Sequence, residues 1–331
     1  MQDTTVTEAT PADATADAAA QPAADRTPEV WDCLIVGGGP AGLTAAIYLA
    51  RFHRRALVVD KGEGRMQMIP VSHNHAGYPE GVAGVALLDR MREQAHQYGA
   101  TLRTGEVVGL HRDGDGFRAE THDGAVRART VLLATGVVNH RPPLDEAQHA
   151  DAVARGLLRY CPICDAFEQT GKRIGVLGGD THGLAEALFL RSYSRDITLL
   201  GLASVALTPD EQAQADAAGI RVVTTPVSSF DFGDEVRLTL DDGSTVVLDT
   251  LYAGLGSTTR NDLGRALGTD LCENQCFLTD DQQRTNVPGI YAAGDAVEGL
   301  DQISYAMGTA ARAAVAIHND LRDRDGQTLA E

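Results

Sequence analysis

The chain has 331 residues, 43% of them hydrophobic and 22% charged, enough for two domains with ordinary cores. Its formal net charge of −18 excludes general nucleic-acid binding, because phosphates are repelled. No apolar run reaches the roughly eighteen residues a membrane span needs, and five cysteines, an odd number, argue against a secreted disulfide framework and favour the cytoplasm.

Residues 1–28 are rich in Ala, Thr, Asp and Pro, with no basic head and no apolar centre, and read as a disordered acidic tail. The first predicted strand, Val30 to Val36, runs into Gly37-Gly38-Gly39-Pro40-Ala41-Gly42. A helical stretch from Leu43 to Ala50 follows, then a strand from Ala56 to Val59 that ends on Asp60. Turn signals at Asp113-Gly114-Asp115-Gly116 and Asp123-Gly124 predict hairpins, and Val131 to Gly136 reads as a buried strand leaving a tight turn. A second βαβ unit begins near Lys172. It has a strand to Leu177, a turn over Gly178 to Gly183, a helix to Ser192 and a strand from Asp196 to Leu200. Gly289 to Asp295 is a further strand ending on an acid, and an alanine-rich helix from Tyr305 to Asp323 closes the chain.

Gly37, Gly39 and Gly42 fit G-x-G-x-x-G with a strand before and a helix after. Such glycines let backbone approach a pyrophosphate seated on the positive end of the helix, and Asp60 is placed to accept from a ribose. The fingerprint does not separate FAD from NAD; the acid of Ala292-Ala293-Gly294-Asp295 points to a flavin's ribityl chain. Cys161-Pro162-Ile163-Cys164 is a C-x-x-C. A zinc site would need a second ligand pair, and Cys272 with Cys276 is spaced C-x-x-x-C beside no histidine, so no metal site is expected. Pro162 suits the first turn of a helix running on through Glu168, whose dipole would stabilise a thiolate. Asp165 is either a proton shuttle for thiol–disulfide exchange or a helix-capping acid.

Together these motifs resemble the low-molecular-weight thioredoxin reductase family, from about Trp31 to Asp320. The marks are the glycine turn, Asn74 with Gly77-Tyr78-Pro79-Glu80-Gly81, Ala134-Thr135-Gly136, Cys161 to Asp165, and Thr285 to Asp295. The resemblance implies an α/β flavin disulfide reductase with two Rossmann-like dinucleotide-binding domains. The FAD-binding domain would be discontinuous, 29–137 and 254–325, and an inserted NAD(P)-type domain, 138–253, would carry the C-x-x-C and rotate. It implies a homodimer, with Cys164 as the flavin-facing thiol, Cys161 as the thiol that attacks the target, and Asp165 as the acid–base residue. The candidate cofactor residues are Gly37, Gly39, Pro40, Ala41 and Gly42, then Asp60, Lys61 and Asn74. Gly294, Asp295, Gln302 and Ile303 complete them.

The second βαβ unit departs from the family. Asp180 stands where the second glycine of the fingerprint belongs, opposing a pyrophosphate in both bulk and charge. Gly201-Leu202-Ala203 replaces the basic cluster that would hold the 2′-phosphate of NADPH. Ordinary NADPH binding is therefore not expected. His73 and His75 flank Asn74, where a histidine is either a base for substrate thiols or a polar surface residue. The leading expectation is an FAD-dependent dithiol/disulfide oxidoreductase acting on a thioredoxin-like protein or a small disulfide. Its donor is not NADPH; ferredoxin is one candidate, docking on Arg51, Arg54 and Arg55. The alternative is an oxygen-using oxidase that closes a disulfide in a small-molecule dithiol.

Overall fold

The computed structural model describes residues 30–328, so the acidic tail expected at 1–28 lies outside the described residues. The first sheet grows from the β-rich run Val30–Val36, whose inner residues are fully buried. On one side lie Ala56–Asp60 and Thr101–Thr104, both parallel. On the other lies the ten-residue strand Gly124–Leu133. That strand serves two neighbours along its length. Gly124 to Ala128 pairs antiparallel with Gly116–Thr121, while Val131 to Leu133 pairs parallel with Ile290–Ala292. Helices Pro40–Arg51 and Ile303–Arg324 pack against each other on one face of the sheet, and their alanines permit the close approach.

The second sheet is wholly parallel, in the order Arg221–Val222, Ile197–Leu200, Ile174–Leu177, Thr250–Tyr252, Leu158–Arg159. Its central strands read as short apolar runs, as expected for strands covered on both faces. A three-stranded antiparallel sheet over Val227–Phe232, Val236–Leu240 and Thr245–Leu248 packs beside it. Its alternation of buried and exposed residues was not read from sequence. Two short strands, Val137–Asn139 and Ser257–Thr259, pair where the chain passes between the two large sheets. The first sheet sends the carboxyl ends of its parallel strands toward one cavity, where α/β folds place ligands, and the edge strand Leu158–Arg159 of the second sheet reaches the same cavity. No helix among the described residues is long and apolar enough to cross a membrane.

Candidate functional site

The glycine turn forms the floor of this cavity, about 650 Å³ in volume. Gly37 holds φ at +106°, and a Cβ there would meet the carbonyl oxygen of Ala134 at 2.3 Å. A Cβ on Gly42 would strike the Gly37 carbonyl at 1.9 Å, so these two glycines let strand, turn and helix touch. Gly39 differs. Nothing lies within 4 Å of its absent Cβ, and it is the N-cap of helix Pro40–Arg51 with no side chain capping it. An open cradle beside unclaimed helix N–H groups fits the pyrophosphate of a dinucleotide. Gly38, Gly39 and Pro40 line the cavity, whereas Ala41 and Gly42 pack beneath it. Asp60 stands at the strand end, its carboxylate within 2.8 Å of where a Gly38 Cβ would sit. Lys61 is engaged by Glu63 and Glu106, which raise its pKa.

At the far wall Gly294, at φ +75°, leaves room for Ala41, and Asp295 follows. Burial pushes the Asp295 carboxyl up to about 6, against the pull of Arg65, and Asp301 adds to the rise. Arg65 reaches Asp295 at 3.1 Å and Asp301 at 2.7 Å.

Cys161 and Cys164 are joined and face the same cavity. A directed chain of hydrogen bonds ends on them. Ser72 Oγ donates to Asn74 Oδ1 at 3.0 Å, and Asn74 Nδ2 donates to Gln302 Oε1 at 2.9 Å. The Gln302 amide is thereby turned so that Nε2 donates to Cys161 Sγ at 3.3 Å and Cys164 Sγ at 3.4 Å. Asn74 Nδ2 also donates to the Ile163 carbonyl at 3.3 Å and Gln302 Nε2 to the Asp301 carbonyl at 2.9 Å, and both side chains line the cavity with Ile303.

Asp165 is held by two residues in register at the ends of neighbouring parallel strands, Arg159 and Tyr252. Tyr252, fully buried, donates its hydroxyl to Oδ1 at 2.7 Å, and Arg159 forms an ion pair with Oδ2. Burial raises the Asp165 pKa, with Arg159 and then Tyr252 opposing it. Such a carboxyl can hold or release a proton beside the sulfurs.

A family model described as pyridine nucleotide-disulphide oxidoreductase matches residues 31–310. The chain belongs to that family. The thioredoxin reductase of Streptomyces clavuligerus is 30% identical over 290 residues, covering 82% of this chain and 87% of that protein. The solved structure of HlmI superposes with a TM-score of 0.83 at 29% identity, over 90% of this chain and 94% of that one. The atypical thioredoxin reductase TRi of Desulfovibrio vulgaris Hildenborough is 33% identical, with a TM-score of 0.51 over 89% and 99%. This family member is a thioredoxin reductase-like, FAD-binding disulfide oxidoreductase.

Several sequence expectations for this oxidoreductase change. The helix after Cys161 does not run to Glu168: Pro162–Asp165 is one turn, followed by a 3₁₀ turn over Phe167–Gln169. So few aligned peptides make a weak dipole, and the donor at the sulfurs is Gln302. Asp165 caps no helix, its oxygens being taken by Arg159 and Tyr252. His75 does not line the cavity; its ring lies 5.6 Å from that of Tyr78. Of the three arginines named for docking, Arg51 and Arg55 are exposed. The Arg54 side chain is 9% exposed and pairs with Asp325, Arg51 lies over Tyr98, and Arg55 lies over Trp31. Arg159, Tyr252 and Arg65 were not named from sequence. The one available signal was Arg159, two residues before Cys161.

In the second βαβ unit, Asp180 is itself the N-cap of helix Thr181–Leu190 and accepts from Gly183 N at 3.1 Å. The chain after strand Ile197–Leu200 folds over the turn, with Ala206 N donating to Gly179 O at 3.0 Å. Thr181 bonds Glu211, which adds a carboxylate beside the turn.

Proposed function

We propose that this flavoprotein passes electrons between FAD and a target disulfide through Cys161 and Cys164, fed by a donor other than NADPH. The observation that carries this reading is the contrast between the two nucleotide turns. Gly39 leaves its helix N-terminus open to the cavity, whereas Asp180 fills and charges the corresponding one. In this reading the chain divides into an FAD unit, 29–137 with 254–325, and an inserted unit, 138–253, a division supported by each large sheet's strands falling within one of the two.

Bound FAD would supply a two-electron carrier, and the glycine turn with Asp60 and Asp295 at the far wall would hold it. Once the cysteine pair is reduced, Cys161 attacks the target disulfide and forms a mixed disulfide. Cys164 then attacks Cys161, releasing the reduced target and restoring the Cys161–Cys164 bond. Gln302 stabilises the thiolates by donation, and Asp165 moves the protons. A thioredoxin-like protein is the acceptor in this reading, a ferredoxin is one candidate donor, and the working unit is a cytoplasmic homodimer.

A second reading runs the flow backwards, from a small dithiol through the cysteines and FAD to oxygen. It is favoured by the cavity's continuing past Cys161 along Gly156, Arg159 and Tyr160, which leaves room for a small molecule. An anaerobic titration separates the cases. NADPH and NADH should leave the flavin absorbance unchanged, while reduced ferredoxin or a dithiol should bleach it. Rapid bleaching by NADPH overturns the proposal. Oxygen uptake driven by a small dithiol selects the second reading.

A further inference from the structure

The hairpin from Leu271 to Phe277 carries a second cysteine pair that the chemistry above does not use. Cys272 and Cys276 are joined, with Cα atoms 5.4 Å apart; Cys272 is half-buried and Cys276 is buried. The crosslink is not what closes this hairpin. Cys272 N donates to Cys276 O at 2.8 Å, Leu278 N to Asp270 O at 3.0 Å, and Leu271 bridges Phe277 antiparallel. A disulfide across so short a loop also removes little entropy from the unfolded chain. A purely structural staple is therefore a poor account of it.

Both flanks of the hairpin run to the cavity. Inside the ring, the Gln275 carbonyl accepts from the buried Asn261 Nδ2 at 2.7 Å. Asn261 directly precedes Asp262 and Leu263, which line the cavity. Beside Cys276, Phe277 N donates to Ala296 O at 2.9 Å, one residue past Asp295. Gln275 holds φ at +63°, a conformation that costs a non-glycine residue energy. Opening the ring removes the covalent restraint on this strained turn, whose Gln275 carbonyl is the group that Asn261 binds.

We propose that Cys272–Cys276 is a second exchangeable disulfide, opened by a small dithiol without negative charge and coupled through Asn261 and Phe277 to the cavity that binds FAD. The coupling rests on the reading that FAD occupies this cavity. The dithiol is small because Cys276 is buried and Cys272 only partly exposed, and it carries no negative charge because Asp270 and Glu273 flank the pair. Its thiolate attacks Cys272 Sγ, the S–S bond breaks and Cys276 takes up a proton. Its second thiol, deprotonated, then attacks the mixed disulfide, and Cys272 leaves and is protonated. The dithiol is oxidised by two electrons to its disulfide, and the cysteine pair is reduced to two thiols.

The test uses FAD-loaded Cys161→Ser/Cys164→Ser protein, which removes the other exchange site. The native protein is equilibrated anaerobically in reduced and oxidised dithiothreitol mixtures, then denatured, alkylated and weighed. Alkylated cysteines should rise from one, the buried Cys33, to three. FAD dissociation, read by flavin fluorescence, should shift at least about threefold over the same midpoint. Adding Cys272→Ser and Cys276→Ser should abolish that shift. A pair that stays closed in excess dithiothreitol, a pair that cannot be closed, or an unchanged FAD affinity each overturns the proposal. Gly39→Val, run alongside, fills the cradle. Retained FAD in that variant refutes the cavity reading, whereas lost FAD there with no redox shift in the parent refutes the coupling alone.

Discussion

Gln302 shows how one side chain joins parts of the molecule that sequence keeps apart. Standing at the start of the helix Ile303–Arg324, it accepts from Asn74 and donates to sulfurs 138 and 141 residues away. A hydrogen bond to a charged group contributes about 1.5–3 kcal/mol, or roughly one to two pKa units at a thiolate. Gln302→Leu is thus expected to raise the thiol pKa of the reduced cysteine pair by about that much. It should also slow reoxidation of that pair roughly tenfold or more at neutral pH. Thiolate absorbance against pH measures the first effect and stopped-flow flavin absorbance the second; an unshifted thiol pKa refutes the role. The cysteines and Asp295 were legible because their signals are contiguous in the chain. Tyr252 was not, since nothing local marks a tyrosine whose partner, Asp165, lies 87 residues earlier. Its role exists only through the register of two parallel strands.

At the scale of elements, the two βαβ units were readable because strand, glycine turn and helix leave a local pattern. What the pattern left partly open was how each helix start is satisfied. Asp180 reads from sequence as an obstacle to phosphate; in the structure it is also a cap, so its helix N-terminus is stable without a ligand. Asp180→Gly removes that cap and is expected to cost the helix a few tenths of a kcal/mol. It should still not confer NADPH reduction of the flavin, because Gly201-Leu202-Ala203 supplies no cation for the 2′-phosphate. Bleaching by NADPH is expected only when Leu202→Arg and Ala203→Arg are added, and anaerobic flavin absorbance decides it. NADPH-dependent bleaching in Asp180→Gly alone would sink this account. The single-turn helix at Cys161 and the unread sheet over residues 227–248 mark the limits of periodicity, since neither offers a long repeat.

For the molecule as a whole, Asp295 couples the cofactor cavity to stability. The unfolded chain ionises this carboxyl near its ordinary value of 3.8, whereas in the fold burial moves it to about 6. Protons therefore favour the folded state. The help is complete below about pH 4 and is lost as pH rises through 6. A shift of about two units at roughly 1.4 kcal/mol each leaves the FAD-free protein on the order of 2–3 kcal/mol less stable at pH 8 than a neutral side chain would. Asp295→Asn should accordingly raise the denaturation midpoint of FAD-free protein above pH 6 and converge with the parent near pH 4. Arg65 keeps Asp301 as a partner in that variant. With FAD present the gap at pH 8 should narrow or close. Ligand at a hundredfold excess over its Kd adds about 2.7 kcal/mol to the parent, and the variant, having lost the acid that faces the cavity, should gain less. Urea melts at pH 4, 6 and 8, with and without FAD, measure both halves. A gap between the FAD-free proteins that does not change with pH would show that burial of Asp295 is not what sets it.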